Sequence, residues 1–298
     1  MAVAGGTGIM SRLLCFGLGY SASFLAQQLR AEGWHVSGTA RTPASAEAVA
    51  ANGFDVCVFD GSAPSPEAAA AVAQATHILV SVPPDADGDP VLRHHIEDLV
   101  NASALAWVGY LSTIGVYGDH GGAWIDETTP ANTTSQRSRW RLAAENAWLA
   151  LAARSGKRCQ VFRLPGIYGP GRSAIERVRE GSAQRIVKPG QVFNRIHVED
   201  IAASLRASIA GQGTQRVYNV TDDEPAPPQD VIAYAAQLLH MPPPPEIAFA
   251  EAKLSPAAAS FYGENRRVSN ARLRNDLGVA LKFPSYREGL RGIVKIPR

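Results

Sequence analysis

Leu13-Leu14-Cys15-Phe16-Gly17-Leu18-Gly19-Tyr20-Ser21-Ala22 is the stretch from which the fold is read. Leu13 to Phe16 is an apolar run long enough for a buried parallel strand. Gly17-x-Gly19-x-x-Ala22 follows at once, and Ser23 to Arg30 reads as a helix with Phe24, Leu25 and Leu29 turned inward. Strand, glycine turn and helix in that order form the context that a dinucleotide fingerprint needs. Gly17 permits a tight turn, Gly19 keeps the backbone clear for a pyrophosphate, and Ala22 lets the helix pack close to the strand. Tyr20 and Ser21 are expected at the cofactor, and the helix's unpaired N–H groups suit bound phosphates. A glycine turn in any α/β protein gives the same motif, so the surrounding chain has to decide between the two.

Working outward, Met1 to Met10 holds Gly5-Gly6-Thr7-Gly8 without room for a strand before it. A flexible leader over 1–10 is expected there, with Met10 an alternative start. Downstream, apolar runs recur at His35 to Ala40, Val56 to Phe59, His77 to Val82 and Leu105 to Leu111, separated by alanine-rich helical stretches. This alternation predicts an α/β fold, a Rossmann-type doubly wound parallel sheet with its ligand beyond the strands' carboxyl ends. Arg41 stands at the end of the second strand, where an acid would suit the ribose hydroxyls of NAD and an arginine suits a 2′-phosphate. NADP is therefore favoured over NAD, the alternative being a merely solvated Arg41. Asp60 after the third strand is expected at the adenine and Ser81 at the end of the fourth is expected at the cofactor, with Pro83-Pro84 forming a wall beside it.

A chain of 298 residues fits one large or two intimate domains. Charged residues make up 19% and the formal net charge is +2, which implies no nucleic acid or other bulk polyanion as partner. Cys15, Cys57 and Cys159 lie far apart in apolar runs and read as buried small hydrophobes, neither a disulfide set nor a metal site. No stretch approaches the ~18 apolar residues of a membrane span and no signal peptide is visible, so a cytoplasmic protein without a membrane partner is expected. His94-His95, beside Glu97 and Asp98, lack the i, i+4 spacing of a metal pair and read as a solvated helix face.

The fifth apolar run leads into Ser112-Thr113-Ile114-Gly115-Val116-Tyr117-Gly118. Later come Arg163-Leu164-Pro165-Gly166-Ile167-Tyr168-Gly169-Pro170-Gly171, Ile196-His197-Val198-Glu199-Asp200 and Tyr218-Asn219-Val220. In this order they resemble an extended short-chain dehydrogenase/reductase, the class that includes nucleotide-sugar epimerases and dehydratases, over roughly residues 11 to 293. The resemblance implies a dinucleotide cofactor, puts Thr113 at the catalytic serine/threonine position, and sets Leu164 and its neighbours against nicotinamide and substrate. It implies a Rossmann domain over 11–165 to which 190–222 return, with a smaller interleaved C-terminal substrate lobe of 223–298 and 166–189. A possible homodimer through helices near residue 140 also follows from it.

The family's chemistry rests on Tyr-x-x-x-Lys, and that pair occurs nowhere in this sequence. Alignment on Glu145 puts Arg137 at the tyrosine position and Arg141 at the lysine position. Arg141 can still hold a ribose hydroxyl, but a guanidinium with a pKa above ~12 moves no proton. Gly166 stands where many members have asparagine, and Phe193 where some carry a phosphate-binding arginine. The substitute proton donors the sequence offers are Tyr168 and His197, with Tyr117 a further tyrosine; packed aromatics and a structural histidine are the plainer alternatives. Trp140, Ala144, Ala147, Trp148 and Leu151 recur at helical spacing and read as core or a subunit face. The arginines from Asn265-Arg266-Arg267 onward suit either an anionic substrate or solvent. Two functions stay open: an atypical epimerase, dehydratase or reductase acting on a small carbonyl, sugar or nucleotide-sugar-like substrate, and a catalytically inactive NADP(H)-binding regulator or sensor.

Overall fold

The structure is a computed structural model that describes residues 10–296. The leader expected over 1–10 lies outside them except for Met10, which is exposed. The first part of the chain alternates regularly: β1 (Arg12–Phe16), α1 (Tyr20–Ala31), β2 (His35–Ala40), α2 (Pro43–Ala50), β3 (Asp55–Val58), α3 (Pro66–Gln74), β4 (His77–Val80), α4 (Pro90–Asn101) and β5 (Trp107–Thr113). Then follow β6 (Trp124–Ile125), α5 (Gln136–Ser155), β7 (Arg158–Leu164), β8 (Gly166–Tyr168), α6 (Ala174–Arg179), β9 (Arg185–Val187), β10 (Arg195–His197), α7 (Val198–Ile209) and β11 (Val217–Asn219). The chain closes with α8 (Pro228–Leu238), β12 (Glu246–Ala248), α9 (Pro256–Tyr262), β13 (Arg267–Val268), α10 (Ala271–Asn275) and α11 (Tyr286–Val294).

Among the described residues, seven strands form one parallel sheet in the order β11-β7-β5-β4-β1-β2-β3. β1 lies between β2 and β4, with Leu14 opposite both Ser37 and Ile78. The strand order reverses at β1, which is where an α/β sheet of this kind opens a crevice for a ligand. Four of the five β1 residues are buried, as a strand covered on both faces requires. The predicted Rossmann-type sheet is therefore present. No helix among the described residues is long and apolar enough to cross a membrane.

Packing divides the chain into two compact units. One runs through Tyr110 and includes Asn146–Cys159; the other holds Leu111–Glu145 and the chain from Gln160 onward. The cuts fall inside β5, α5 and β7. In the first unit Ala22, Leu25, Ala26 and Leu29 of α1 are buried beside Leu13, Leu14 and Cys15. Phe24, expected inward, is half-buried and meets the Tyr20 ring edge-on at 5.4 Å. Cys57 is also only half-buried, because β3 is the edge strand of the sheet. His95, expected on a solvated face, is buried: its ring packs against Phe16 and Phe59, and its Nδ1 lies 2.8 Å from Asp98. Of the periodic residues of α5, Ala144, Trp148 and Leu151 are buried and Ala147 is exposed.

In the second unit, α6, α8 and α11 pack through Ile175, Val178, Ile232, Ala235, Leu290 and Ile293, together with Tyr168. A smaller cluster joins Ile114, Val116, Tyr117, Ile125 and Val268.

Candidate functional site

The glycine turn is shaped by its neighbours. Gly17 has φ +83°, and a Cβ there would lie 2.8 Å from the Ser81 Oγ, so the position excludes any side chain. Ser81 is the closing piece of the turn: its N–H donates to the Phe16 carbonyl at 2.9 Å and its hydroxyl to that of Gly17. The Gly17 N–H in turn donates to Thr39 Oγ1 at 3.0 Å, which ties the turn to β2.

Gly19 is different. It is exposed, and a Cβ built on it would have no heavy atom within 4 Å. Its backbone begins α1, and no side chain caps that helix. The next three helices are each capped: Thr42 accepts from Ser45 N–H, Ser65 from Ala68 N–H, and Asp89 from Val91 and Leu92 N–H. Open space above Gly19 and an uncapped helix start leave room and donors for an anion at one place. Ser21 and Ala22 form the buried underside of that first turn.

Arg41 follows β2, is exposed, and its guanidinium has no hydrogen-bond partner among the described residues. Asp60 is exposed too, but its Oδ1 already accepts the N–H and hydroxyl of Ser62 at 2.8 and 2.7 Å. Those two bonds hold its carboxyl below the usual range.

The second unit contains the residues expected to do chemistry. Thr113 ends β5 and is half-buried; its Oγ1 accepts the Gly115 N–H at 3.0 Å, and its own hydrogen has no acceptor among the described residues. Arg141 directs Nη1 to the Leu111 carbonyl at 2.9 Å, and Arg137 is exposed. Leu164 is buried at the end of β7, and Gly166 just beyond it is exposed.

The two candidate proton donors lie opposite each other, His197 of β10 registering with Tyr168 of β8. Neither is placed to donate. The Tyr168 hydroxyl donates to the Ser285 carbonyl at 3.2 Å, and burial, followed by the charges of Asp222 and Asp200, pushes its pKa well up. His197 is 1% exposed, its ring 4.0 Å from that of Phe283 and 5.2 Å from that of Tyr168. Its Nδ1 accepts the Glu199 N–H at 3.3 Å, and burial pulls its pKa down to about 4. Its ring caps the start of α7. Tyr117 is likewise spent, donating to Asn219 Oδ1 at 2.8 Å beneath the Arg163 guanidinium.

Two residues carry more than sequence reasoning gave them. Glu145, used above only to align α5, is buried and pairs with Arg163 at 2.7 Å, and it also accepts the Ser112 hydroxyl. The strand that presents Thr113 is thereby anchored to α5 and β7. The only sequence signal was Glu145 at a helix position otherwise lined with alanine and tryptophan. The arginines near the C-terminus are not an anion site. Arg266 is paired with Glu264 at 2.7 Å and donates to the Gly118 carbonyl, while Arg267 donates to that of Gly122.

Residues 17–221 match the NAD dependent epimerase/dehydratase family. The chain belongs to this family. Among solved structures, it is similar to a functionally unknown conserved protein from Silicibacter pomeroyi DSS, at 49% identity and a TM-score of 0.85, covering 95% of this chain and 98% of the other. Protein YeeZ of Escherichia coli K12 is 27% identical over 92% of this chain and 97% of its own. The 3-diazoavenalumate denitrifying reductase of a Streptomyces species is also 27% identical, over 97% and 98% respectively. Helix α5 carries Arg137 and Arg141 one turn apart.

Proposed function

We propose that this chain is an NAD(P)H-dependent reductase of small electrophilic substrates rather than an epimerase or dehydratase. The observation that carries the cofactor is the open space over Gly19 at the one uncapped helix of α1 to α4. That space is large enough for a Cβ and lies at a helix start that no side chain caps, which fits a pyrophosphate. Gly17, Gly19, Tyr20, Ser21 and Ala22 would hold it there, and Arg41, with no partner of its own, would meet a 2′-phosphate. NADP(H) is thus the preferred form, through paired charge-assisted hydrogen bonds. When bound, the nicotinamide supplies a hydride.

The direction follows from α5. Epimerases and dehydratases of this family begin by taking a proton from a substrate hydroxyl, which calls for a base that titrates near neutrality. A guanidinium, the group α5 offers at Arg137 and Arg141, has no lone pair to act as an acceptor. Reduction asks less of the protein: a donor to polarise the electrophile and a proton that water can deliver. Thr113 suits the first task, because its oxygen is occupied by the Gly115 N–H while its hydrogen is free. Arg141 would hold a ribose hydroxyl. The similarity to a named reductase supports the same choice.

Calorimetry with NADPH and NADH, followed by a panel of carbonyl compounds and nucleotide-sugars, tests this. NADPH oxidation with a carbonyl compound is expected, and epimerisation of a nucleotide-sugar overturns the reading. Tight NADPH binding without turnover of any compound favours the regulator instead, a reading supported by the engaged hydroxyl of Tyr168 and the neutral ring of His197.

A further inference from the structure

The carboxyl ends of β1, β2 and β3 form a row, because the sheet runs β4-β1-β2-β3 on that side. The glycine turn follows β1, Arg41 follows β2 and Asp60 follows β3. A dinucleotide with its pyrophosphate over Gly19 and its adenosine ribose at Arg41 therefore brings its adenine toward Asp60. One oxygen of that carboxylate is already engaged. Oδ1 accepts both the N–H and the hydroxyl of Ser62, at 2.8 and 2.7 Å, while Oδ2 has no partner among the described residues. A carboxylate oxygen accepts and does not donate, so the group on a base that it suits is the exocyclic amino group of adenine.

What keeps that oxygen in place comes from α4. Gly61 is buried, and a Cβ on it would lie 2.8 Å from the Pro90 Cβ at the start of this helix. The Gly61 carbonyl accepts from Arg93 Nη2 at 2.8 Å and lies 2.9 Å from His94 Nε2. The same guanidinium grips Asp85 with both arms, Nη1 to Oδ1 at 2.9 Å and Nη2 to Oδ2 at 3.1 Å. Asp85 belongs to the loop after β4, and β1 and β2 lie between β4 and β3 in the sheet. One side chain thus joins two loops whose strands flank β1 and β2. Arg93 is exposed, and an exposed ion pair adds little to stability. What its planar fork adds is geometry. The Gly61 carbonyl that it holds and the Ser62 N–H that holds Asp60 Oδ1 are the two ends of one peptide, which is planar and turns as a unit.

We infer that Arg93 is a positioning residue for base recognition: through the Gly61–Ser62 peptide it aims the open Oδ2 of Asp60 at the amino group of adenine, without touching the cofactor itself. Asp85 fixes the plane of the guanidinium, the guanidinium fixes the peptide, and the peptide fixes the carboxylate. The inference rests on the dinucleotide reading of the glycine turn. It depends neither on the choice of NADP(H) over NAD(H) nor on the reaction catalysed.

The test is calorimetric, on the full chain, with NADPH, its counterpart carrying hypoxanthine in place of adenine, and reduced nicotinamide mononucleotide as probes. Hypoxanthine presents a carbonyl where adenine presents the amino group, so the parent should bind that counterpart about tenfold or more weakly than NADPH. Arg93→Gln should weaken NADPH by about five- to tenfold and leave the hypoxanthine counterpart and the mononucleotide unchanged. Its thermal midpoint should stay within a few degrees of the parent, as befits an exposed ion pair. Asp60→Ala should erase the preference for adenine, and adding Arg93→Gln to it should weaken NADPH no further, because both act through one contact. The inference is overturned if Arg93→Gln leaves NADPH unchanged, if it weakens the hypoxanthine counterpart equally, or if its full effect adds to that of Asp60→Ala. Those outcomes, with NADPH still bound by the parent, defeat the inference alone. A parent that binds neither NADPH nor NADH defeats the dinucleotide reading and this inference with it.

Discussion

Gly19 and Arg41 make the same point from opposite sides, since each matters for what the folded chain leaves unfilled. Gly19→Val places two methyl groups in space that holds no protein atom, so NADPH binding should vanish while the thermal midpoint stays within a few degrees of the parent. Calorimetry and a melting curve on one sample check both halves, and retained binding removes the pyrophosphate from this loop. Arg41→Ala should narrow the affinity gap between NADPH and NADH by about 1.5–3 kcal/mol, the usual range for hydrogen bonds to charged groups. Equal affinities in the parent protein defeat that assignment. His197 gives a signature in stability instead. Its folded pKa of about 4 lies below the ordinary histidine value of about 6.5, so burial favours the neutral ring. The resulting stability is fully present above pH 6.5 and is lost as pH falls toward 4, because the unfolded chain takes up the proton first. The loss is about 3 kcal/mol. Urea melts at pH 7 and 4.5 should reveal it, and His197→Gln should flatten the difference.

At the scale of elements, α5 joins the missing catalytic pair to the anchor of β5. Glu145 is enclosed by Ser112, at the end of β5, and Arg163 of β7. Glu145→Ala leaves a buried guanidinium without its partner and should cost about 3–5 kcal/mol in chemical denaturation. Glu145→Leu combined with Arg163→Met should cost less than the sum of the single changes, because the double variant buries no lone charge. Thr113 is presented by the same strand end. Thr113→Val should therefore lower turnover with a carbonyl compound, by about the 10²-fold or more attributed to one positioned donor, and cost about 1 kcal/mol of stability through loss of the acceptor for the Gly115 N–H. A drop in stability without a drop in turnover would make Thr113 a turn residue only.

For the whole molecule, the proposal predicts that NADPH oxidation by a reducible substrate shows no break near pH 6.5, since burial holds the His197 pKa down at about 4. A clear inflection near that pH would assign the proton to a group not considered above. It would also return the chain to general acid catalysis of the ordinary kind.

Much of this protein was open to reading before folding was considered, and the readable parts share a cause. The strand of Leu13 to Phe16, the turn at Gly17, and the helix with Ala22, Leu25 and Leu29 inward depend on contacts and dihedrals within about a dozen residues. The parallel order of the sheet follows from their repetition. The surroundings of the candidate proton donors were not legible for the opposite reason. Tyrosine and histidine are capable by type, but Tyr168 is bound by a carbonyl 117 residues away and His197 is enclosed by Phe283. Arg266 is likewise spent on Gly118, 148 residues distant. An arginine's freedom to bind a ligand is the absence of a neighbour, which no local pattern encodes. Residue type and spacing set what each side chain is able to do; burial and long-range pairing, which require the completed fold, decide whether it is left free to do it.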